Sequence, residues 1–342
     1  MAVFYPIRKS APCIKKLERP ILTPADMPYE STLVFNAGVT KFNGKYVMVF
    51  RNDYGTDEET FLKQRYFPAT SIGVAVSDNG IDGWQVRTTH LFDSPVTKAE
   101  SNGWIGRFYD PRITVIEGKP YLCMASDSKR GIQGVIAEVD DNFEKATVLS
   151  MSAPNNRNMV LFPEKIGGMY MRLERPMAMY SDDAYCFDIW CSKSPDLKFW
   201  GDIKHIQRHD KMPFSNDKIG PAAPPVKTEK GWLTTFHCVE SNPEWGKNGW
   251  EPRWPHRYMG GIMLLDLEDP SKILGMYKQP LLAPDMPYET DEGFRQNTIF
   301  PGGMILEDDG EVKIYYGASD TYECVATAHV DELLKLCLES NN

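Results

Sequence analysis

The sequence predicts an all-β protein, and specifically a five-bladed β-propeller, on three observations. First, five segments repeat one plan: a short apolar strand, a polar turn with glycine, and a second strand rich in aromatic and β-branched residues. Second, a further strand with a polar turn follows each of these hairpins. Third, very little of the chain has a helical pattern apart from Asp331–Leu336, which disfavours architectures that alternate strands and helices.

The repeated units follow one another along the chain. Five units of about four strands suit a propeller with long insertions better than a sandwich. We therefore predict a single domain over residues 1–342, with residues 1–21 as an N-terminal extension and residues 242–258 as a Trp-rich insertion loop. The hairpins lie at 35–51, 109–126, 158–175, 220–238 and 300–319, and the strands that follow them at 71–84, 134–146, 187–201, 260–274 and 324–336.

Composition and charge narrow the functional classes. A formal net charge of -9 argues against nucleic acid or an anionic membrane as a partner, so any anion site must be local. The N-terminus has no signal-peptide pattern and no apolar run approaches membrane-spanning length, so we expect a cytoplasmic protein. The seven cysteines are scattered and suit reduced thiols, and His205 and His209 lack the glutamate of a zinc motif, so no metal is expected.

Polar residues recur where the predicted inner strands begin or end. In a propeller these strands run along the central channel, so such ends meet at one mouth, while the strand interiors between them are apolar. The residues concerned are Asn36 and Arg51 in the first unit, Asp110 and Arg112 in the second, Arg157 and Arg175 in the third, Lys218 and His237 in the fourth, and Asp320 in the fifth.

The third hairpin predicts an anion site. A strand pair folded back at Gly167 and Gly168 would carry Arg157 and Arg175 to the same rim. Two guanidinium groups held together repel each other unless an anion joins them, and their planar donor geometry suits phosphate or carboxylate oxygens. The alternative is two surface arginines that pair with Glu164 and Glu174.

The motifs in these units resemble family 130 of the glycoside hydrolases, whose members are mostly β-mannoside phosphorylases on a five-bladed propeller. The resemblance runs from about Leu22 to the C-terminus. The specific motifs are "YDPR", "NRNMVLFPEK" and the downstream "RP". The sequence departs from the family with methionine in "NMVLFP", where members often have glycine, and with "GPAAPP" in place of "GAGP", which puts linkage and acceptor preference in doubt more than the chemistry.

The resemblance implies roles for particular residues. Asp110 is the implied general acid, and it would deliver its proton through a sugar hydroxyl. Inorganic phosphate is the implied co-substrate, and no cofactor is expected. The implied phosphate-binding residues are Arg157, Arg175 and His237, and those at the sugar site are Asn36, Arg51, Lys218 and Asp320.

Phosphate chemistry explains why one catalytic carboxyl group could suffice. Inverting hydrolysis needs an acid and a base, whereas phosphate arrives anionic and needs only cations that hold it against the anomeric carbon. Taken alone, Asp110 could instead be a turn residue paired with Arg112, His237 a buried core histidine, and Arg51 part of a salt bridge between blades.

The aromatic insertion at 242–258 leaves three interpretations open. Its tryptophans and Tyr258 could stack on a sugar and form acceptor subsites, pack on one another, or form a contact in a homo-oligomer.

The functional hypothesis is an inverting phosphorylase that converts a β-mannoside and phosphate to α-mannose 1-phosphate. The alternatives are an inverting β-mannosidase and a non-catalytic carbohydrate-binding propeller.

Overall fold

A computed structural model describes residues 8–178 and 187–339. Within these ranges the long strands form five antiparallel sheets. The innermost strands of neighbouring sheets contact one another around a central pore. The predicted five-bladed propeller is therefore confirmed, and each predicted hairpin supplies the first strands of one blade.

The first two blades follow directly from two of these hairpins. Their innermost strands start each sheet, and the later strands add outward in chain order. A short helix interrupts the first blade after its second strand, and another precedes the second blade. The elements, after an N-terminal strand β1 (Lys15–Lys16), are β2 (Leu33–Phe42), β3 (Lys45–Tyr54), α1 (Glu58–Gln64), β4 (Ala69–Ser77), β5 (Gln85–Val86), β6 (Phe92–Asp93), α2 (Ser94–Glu100), β7 (Ile105–Ile116), β8 (Lys119–Ser128), β9 (Gly131–Val139) and β10 (Ala146–Met151).

The remaining three blades repeat this order, and the two ends of the chain close the ring. Strand β1 pairs with the last strand, so the segment predicted as an N-terminal extension contributes to the fifth blade. The elements are β11 (Asn156–Leu161), β12 (Tyr170–Pro176), β13 (Ile189–Ser194), β14 (Gly201–Gln207), β15 (Lys218–Pro221), β16 (Val226–Thr228), β17 (Gly231–Ser241), β18 (His256–Leu265), β19 (Ile273–Met276), α3 (Pro287–Thr290), β20 (Ile299–Leu306), β21 (Glu311–Ala318), β22 (Tyr322–His329) and α4 (Val330–Glu339), with 3₁₀ turns at Pro24–Asp26 and His209–Lys211.

Local sequence explains where the hairpins turn. The β11–β12 hairpin reverses at Gly167 and Gly168, whose φ angles are 59° and 79°. Two consecutive positive φ values match the right-handed twist of the flanking strands, and glycine adopts them without steric cost. The possible helical turn at Asp331–Leu336 is part of the longer helix α4, whereas α1, α2 and α3 were not predicted.

The innermost strands of four blades have a β-bulge, and in three of them the bulge begins with an asparagine or aspartate of left-handed backbone. The extra residue begins at Asn36 in β2, at Asp110 in β7 and at Asn158 in β11, where φ is 55°, 52° and 57°. Asparagine and aspartate tolerate this left-handed conformation better than other non-glycine residues. A bulge redirects side chains at the end of a strand, so the repeat presents polar groups at one mouth of the pore.

Arg112 links the blades at the centre of the pore. Its buried guanidinium donates hydrogen bonds to the carbonyl oxygens of Ala222 (2.7 Å), Asn36 (3.1 Å), Pro111 (2.9 Å) and Pro301 (3.3 Å). These oxygens belong to four different blades. Arg112 thus satisfies backbone groups that the bulges leave unpaired, and the alternative in which it simply pairs with Asp110 is not what the structure has.

We expect Gly302→Ala to destabilise the fold because the pore leaves no room for a side chain there. An added Cβ would overlap the carbonyl oxygen of Ala37 in the first blade, and backbone atoms cannot move aside cheaply. Overpacking of this kind costs roughly 1–3 kcal/mol. Urea unfolding measures it, with Gly201→Ala as the control, since that Cβ would meet nothing within 4 Å. Equal stability of the two variants would contradict the close approach of the first and fifth blades.

The cysteines, the histidines and the helices bear on the expectations about disulfides, metal and membrane. The six cysteines of the described ranges are free thiols, as predicted, and Cys186 lies outside those ranges. His205 and His209 both contact one carboxylate, that of Asp188, at 3.0 Å. The part of the chain that the structure describes holds no group of three or more potential metal ligands. None of its helices has the length and apolarity of a transmembrane span.

Candidate active site

The predicted site residues lie on all five blades and are connected by contacts at one mouth of the pore. Hydrogen bonds join the first and second blades there, and the third and fourth. Ring contacts and electrostatic interactions extend the set to the remaining residues. The residues brought together are Asn36, Arg51, Asp110, Arg157, Arg175, Lys218, His237, Tyr258 and Asp320.

Asp110 is held by two donors from the first blade. Asn36 Nδ2 and Arg51 Nη1 donate to its Oδ1 at 3.0 and 3.1 Å. Among the described residues, both hydrogen bonds to this carboxylate go to Oδ1, which leaves Oδ2 as the oxygen that can carry or release a proton. Its side chain is 13% exposed, so it is reachable from the pore mouth.

The charges around Asp110 favour its ionised form. Burial acts to raise the pKa of this carboxyl, but Arg51, Arg112, the Asn36 amide and Arg157 outweigh burial and hold the pKa below its ordinary value. An anion bound against Arg157 would offset one of these cations. Such an anion would therefore raise the pKa of Asp110 towards the range in which a carboxyl group can act as an acid.

Arg51 is itself fixed by a carboxylate that the sequence analysis missed. Asp53 is fully buried and accepts from Arg51 Nη2 at 2.6 Å, while Thr70 donates to its other oxygen at 2.6 Å. The guanidinium also lies 4.5 Å from the ring centre of Phe35. Because residues two apart on a strand share a face, the position of Asp53 after Arg51 in β3 could have indicated this pair.

Arg157 and Arg175 lie side by side, as the third hairpin predicted. They are directly opposite each other in the β11–β12 register. The alternative surface pairing is wrong, because Glu164 pairs with Lys227 and Glu174 pairs with Arg172. The Nε atoms of both arginines are buried without a hydrogen-bond partner. Within residues 8–178 and 187–339, no carboxylate forms an ion pair with either guanidinium.

His237 completes what we call the arginine–histidine cluster, together with Arg157 and Arg175. Its Nδ1 lies 3.2 Å from the Pro221 carbonyl oxygen, which can only accept, so Nδ1 carries the proton. Its Nε2 is then the acceptor for Arg175 Nη1 at 2.9 Å. Burial, with the charges of Arg175, Arg157 and Lys218, lowers the pKa of His237 well below its usual value. A neutral His237 therefore orients Arg175.

The cluster is electrostatically unfavourable by itself. Burial lowers the pKa of Arg175 to about 9, and the charge of Arg157 adds to the effect. Arginine nonetheless stays protonated in proteins, so the lowered pKa reflects first the cost of burying the Arg175 charge and second the repulsion from Arg157. A bound oxyanion would convert the repulsion into two attractions. The geometry thus favours a compact anion with several acceptor oxygens, such as phosphate.

Lys218 and Tyr258 extend the site along the fourth blade. The ammonium nitrogen of Lys218 lies 5.5 Å from the ring centre of Tyr258, and that ring stacks towards His237 at 6.3 Å. Tyr258 also stacks on Trp254, with ring centres 6.2 Å apart and an interplanar angle of 13°. These aromatic faces form a wall beside the cluster, of a kind that can stack against a sugar ring.

Asp320 lies on the fifth blade, close enough to Asp110 and Arg51 to interact with both. Burial raises the pKa of Asp320 and Asp110 adds to the rise, while Arg295 and Arg51 act in the opposite direction. Arg295 Nη1 donates to Asp320 Oδ2 at 3.2 Å. The sequence analysis missed Arg295, since its segment matches none of the repeated strand patterns.

The aromatic residues of the Trp-rich loop at 242–258 pack on one another and on neighbouring segments. Trp250 packs against Phe61, Phe67 and Phe294, in a hydrophobic cluster that also includes Phe35, which supports the packing interpretation for that residue. Trp254 instead stacks on Tyr258 in the wall beside the site. An acceptor subsite in this loop stays a prediction, as does an oligomer contact.

Comparisons with known proteins identify the family of the chain. The model of glycoside hydrolase family 130, described as beta-1,4-mannooligosaccharide phosphorylase, matches residues 8–339. The chain is 30% identical to a 1,2-beta-oligomannan phosphorylase of Thermoanaerobacter sp. (strain X514), over 94% of this chain and 98% of the relative. It is 31% identical to a beta-1,4-mannooligosaccharide phosphorylase of Ruminococcus albus, over 92% and 87%.

The solved structures include one of the same architecture. The beta-1,2-mannobiose phosphorylase of Listeria innocua, in complex with beta-1,2-mannobiose, superposes with a TM-score of 0.77 at 24% identity, over 96% of this chain and 99% of that one. At this identity the likeness concerns the fold alone.

Proposed function

The chain belongs to glycoside hydrolase family 130, and from that membership and the geometry of the pore mouth we propose that it is an inverting β-mannoside phosphorylase. Phosphate attacks the anomeric carbon, the bond from that carbon to the glycosidic oxygen breaks, and the leaving oxygen takes up a proton. The products are α-mannose 1-phosphate and a sugar shortened by one mannose. The observation that carries the proposal is the Arg157–Arg175 pair, whose Nε atoms are both buried and which has no carboxylate partner in the described ranges.

The arginine–histidine cluster holds the nucleophile in this proposal. Each charge-assisted hydrogen bond to phosphate contributes about 1.5–3 kcal/mol, and alignment of the attacking oxygen supplies a further proximity effect. His237 contributes by fixing the guanidinium of Arg175. Because phosphate is already anionic near neutral pH, no second carboxylate is needed to deprotonate it.

Asp110 supplies the proton, directly or through a sugar hydroxyl. Its Oδ1 is occupied by Asn36 and Arg51, so Oδ2 is the proton-bearing oxygen. Phosphate binding beside Arg157 raises the pKa of Asp110 by offsetting a cation that lowers it. Binding of the nucleophile therefore prepares the acid, which links the two halves of the site.

One observation favours a second candidate, an inverting β-mannosidase. Asp320 is a second carboxyl group that interacts with Asp110, and a hydrolase of this stereochemistry needs a base opposite the acid. Asp320 is, however, paired with Arg295 at 3.2 Å. The two candidates predict different products, so one experiment separates them.

We expect turnover only when phosphate is present. Purified protein is incubated with β-1,2-mannobiose or β-1,4-mannobiose, with and without phosphate, because relatives named for each linkage are similar to this chain. Release of mannose 1-phosphate supports the proposal, with the α anomer identified by its NMR coupling. Free mannose in phosphate-free buffer would instead support the hydrolase, and no turnover of either sugar would support a non-catalytic propeller.

A further inference from the structure

The Trp-rich loop is docked on the segment 293–298 of the fifth blade. Trp250 N–H donates to the carbonyl oxygen of Phe294 at 3.0 Å, and Tyr258 N–H donates to that of Asn297 at 3.0 Å. The Asn248 side chain donates to the carbonyl oxygen of Gln296 at 2.5 Å. Loop and segment therefore form one unit held by backbone hydrogen bonds.

The same segment supports the turn that carries Asp320. Phe294 N–H donates to Thr321 Oγ1 at 2.7 Å, and Arg295 N–H donates to the carbonyl oxygen of Ser319 at 2.9 Å. Ser319 and Asp320 both have positive φ, at 53° and 47°. Aspartate tolerates this conformation, but for Ser319 it is uncommon and is held by the surrounding contacts. The placement of Asp320 thus depends on the segment.

The side chain of Arg295 connects Asp320 to the Trp-rich loop. Nη1 donates to Asp320 Oδ2 at 3.2 Å and Nη2 donates to Glu251 Oε1, in the Trp-rich loop, at 3.0 Å. The guanidinium lies 4.1 Å from the ring centre of Trp254 and 4.6 Å from that of Phe294. A planar group stacked on two rings and bonded at both ends has little freedom to turn.

We propose that Arg295 is the positioning residue of the sugar site, transmitting the placement of the Trp-rich loop to Asp320 and so setting the affinity for the β-mannoside. This inference rests on the proposed function. The phosphate-binding residues lie on other strands: Arg157 and Arg175 on β11 and β12, and His237 on β17. Arg295 therefore governs the Michaelis constant for the mannoside without changing that for phosphate.

The test compares Michaelis constants for both substrates in Arg295→Met and Arg295→Lys. Methionine keeps the apolar stem but loses both hydrogen bonds, so we expect the KM for the mannoside to rise about tenfold or more, with the KM for phosphate unchanged within about twofold. Lysine keeps the charge and restores part of the affinity. Arg65→Met is the matched control, because Arg65 also pairs with Glu251, at 3.6 Å, but its side chain is 48% exposed.

A second variant tests the loop end of the connection. Glu251→Gln leaves Asp320 and Arg295 in place and weakens the link of Arg295 to the loop, so it should raise the mannoside KM in the same direction by a smaller factor. It also weakens the exposed pair with Arg65, and Arg65→Met controls for that loss. If Arg295→Met does not fold, as judged by its melting temperature, Arg295→Lys and Glu251→Gln carry the test.

Two outcomes would overturn the inference: equal rises in both Michaelis constants, or an unchanged mannoside KM in folded Arg295 variants. Absence of phosphorolysis by the wild-type protein would instead count against the proposed function, so the two failures are distinguishable.

Discussion

Replacing Asp110 by asparagine is expected to lower kcat for phosphorolysis by about two to four orders of magnitude, the usual contribution of a general acid. The amide fills the same space and can still contact Asn36 and Arg51, so the bulge in β7 should persist. It cannot give up a proton to the leaving oxygen. Initial rates at saturating mannoside and phosphate measure the effect.

The pH dependence of the wild-type enzyme gives a second readout of the same group. An acid must be protonated to act, so kcat falls as pH rises through the pKa of Asp110 in the complex. In the free protein the surrounding cations hold that pKa below its ordinary value. Bound phosphate offsets the charge of these cations and so raises the pKa of Asp110. The alkaline limb of kcat should therefore lie at a higher pH than the alkaline limb of kcat/KM for phosphate.

The control for Asp110→Asn is Glu164→Gln. That carboxylate also follows an inner strand, but it pairs with Lys227 and its side chain is 47% exposed. Its rate should match that of the wild type. Retention of near-normal kcat by Asp110→Asn, with the pH profile unmoved, would assign the proton to another group.

The sequence predicted the blades well because each depends on local patterns. Strand alternation and the antiparallel return at the glycine turn 167–168 predict that Arg157 and Arg175 reach the same rim. Their direct pairing does not follow from the turn alone, because a regular hairpin would place Arg157 opposite residue 178 and the register shifts between the turn and Arg157. The bulges of the innermost strands were not predicted. Asn36 and Asp110 were identified as strand-end residues, but their left-handed backbone results from packing between blades, which the sequence of one strand does not encode.

Residues outside the repeat could not be found in this way. Arg295 lies in a connection whose shape depends on the Trp-rich loop, and that loop folds onto it from the neighbouring blade. Arg112 was identified as a polar strand end and as a partner of Asp110, although its hydrogen bonds go to carbonyl oxygens of four blades. The contacts of both Arg295 and Arg112 are made with segments that are distant in sequence, so local patterns do not reveal them.

Replacing Arg157 by alanine should weaken the use of phosphate far more than the binding of sugar. The lost charge-assisted hydrogen bonds correspond to a rise in the phosphate KM of about 10- to 150-fold, while the mannoside KM should change by less than about threefold. Kinetics at varied phosphate and fixed mannoside measure the first value, and the converse experiment measures the second. The control is Arg87→Met, since Arg87 donates to the Phe143 carbonyl oxygen at 3.2 Å, away from the pore.

The same substitution separates binding from folding. Arg157 repels its neighbour Arg175 but attracts ionised Asp110, so its removal loses one unfavourable and one favourable interaction in the phosphate-free protein, and we expect the melting temperature to change little. Phosphate should raise the melting temperature of the wild type by mass action and that of Arg157→Ala much less. Equal losses in phosphate and sugar binding would contradict the role given to Arg157, as would undiminished stabilisation of the variant by phosphate.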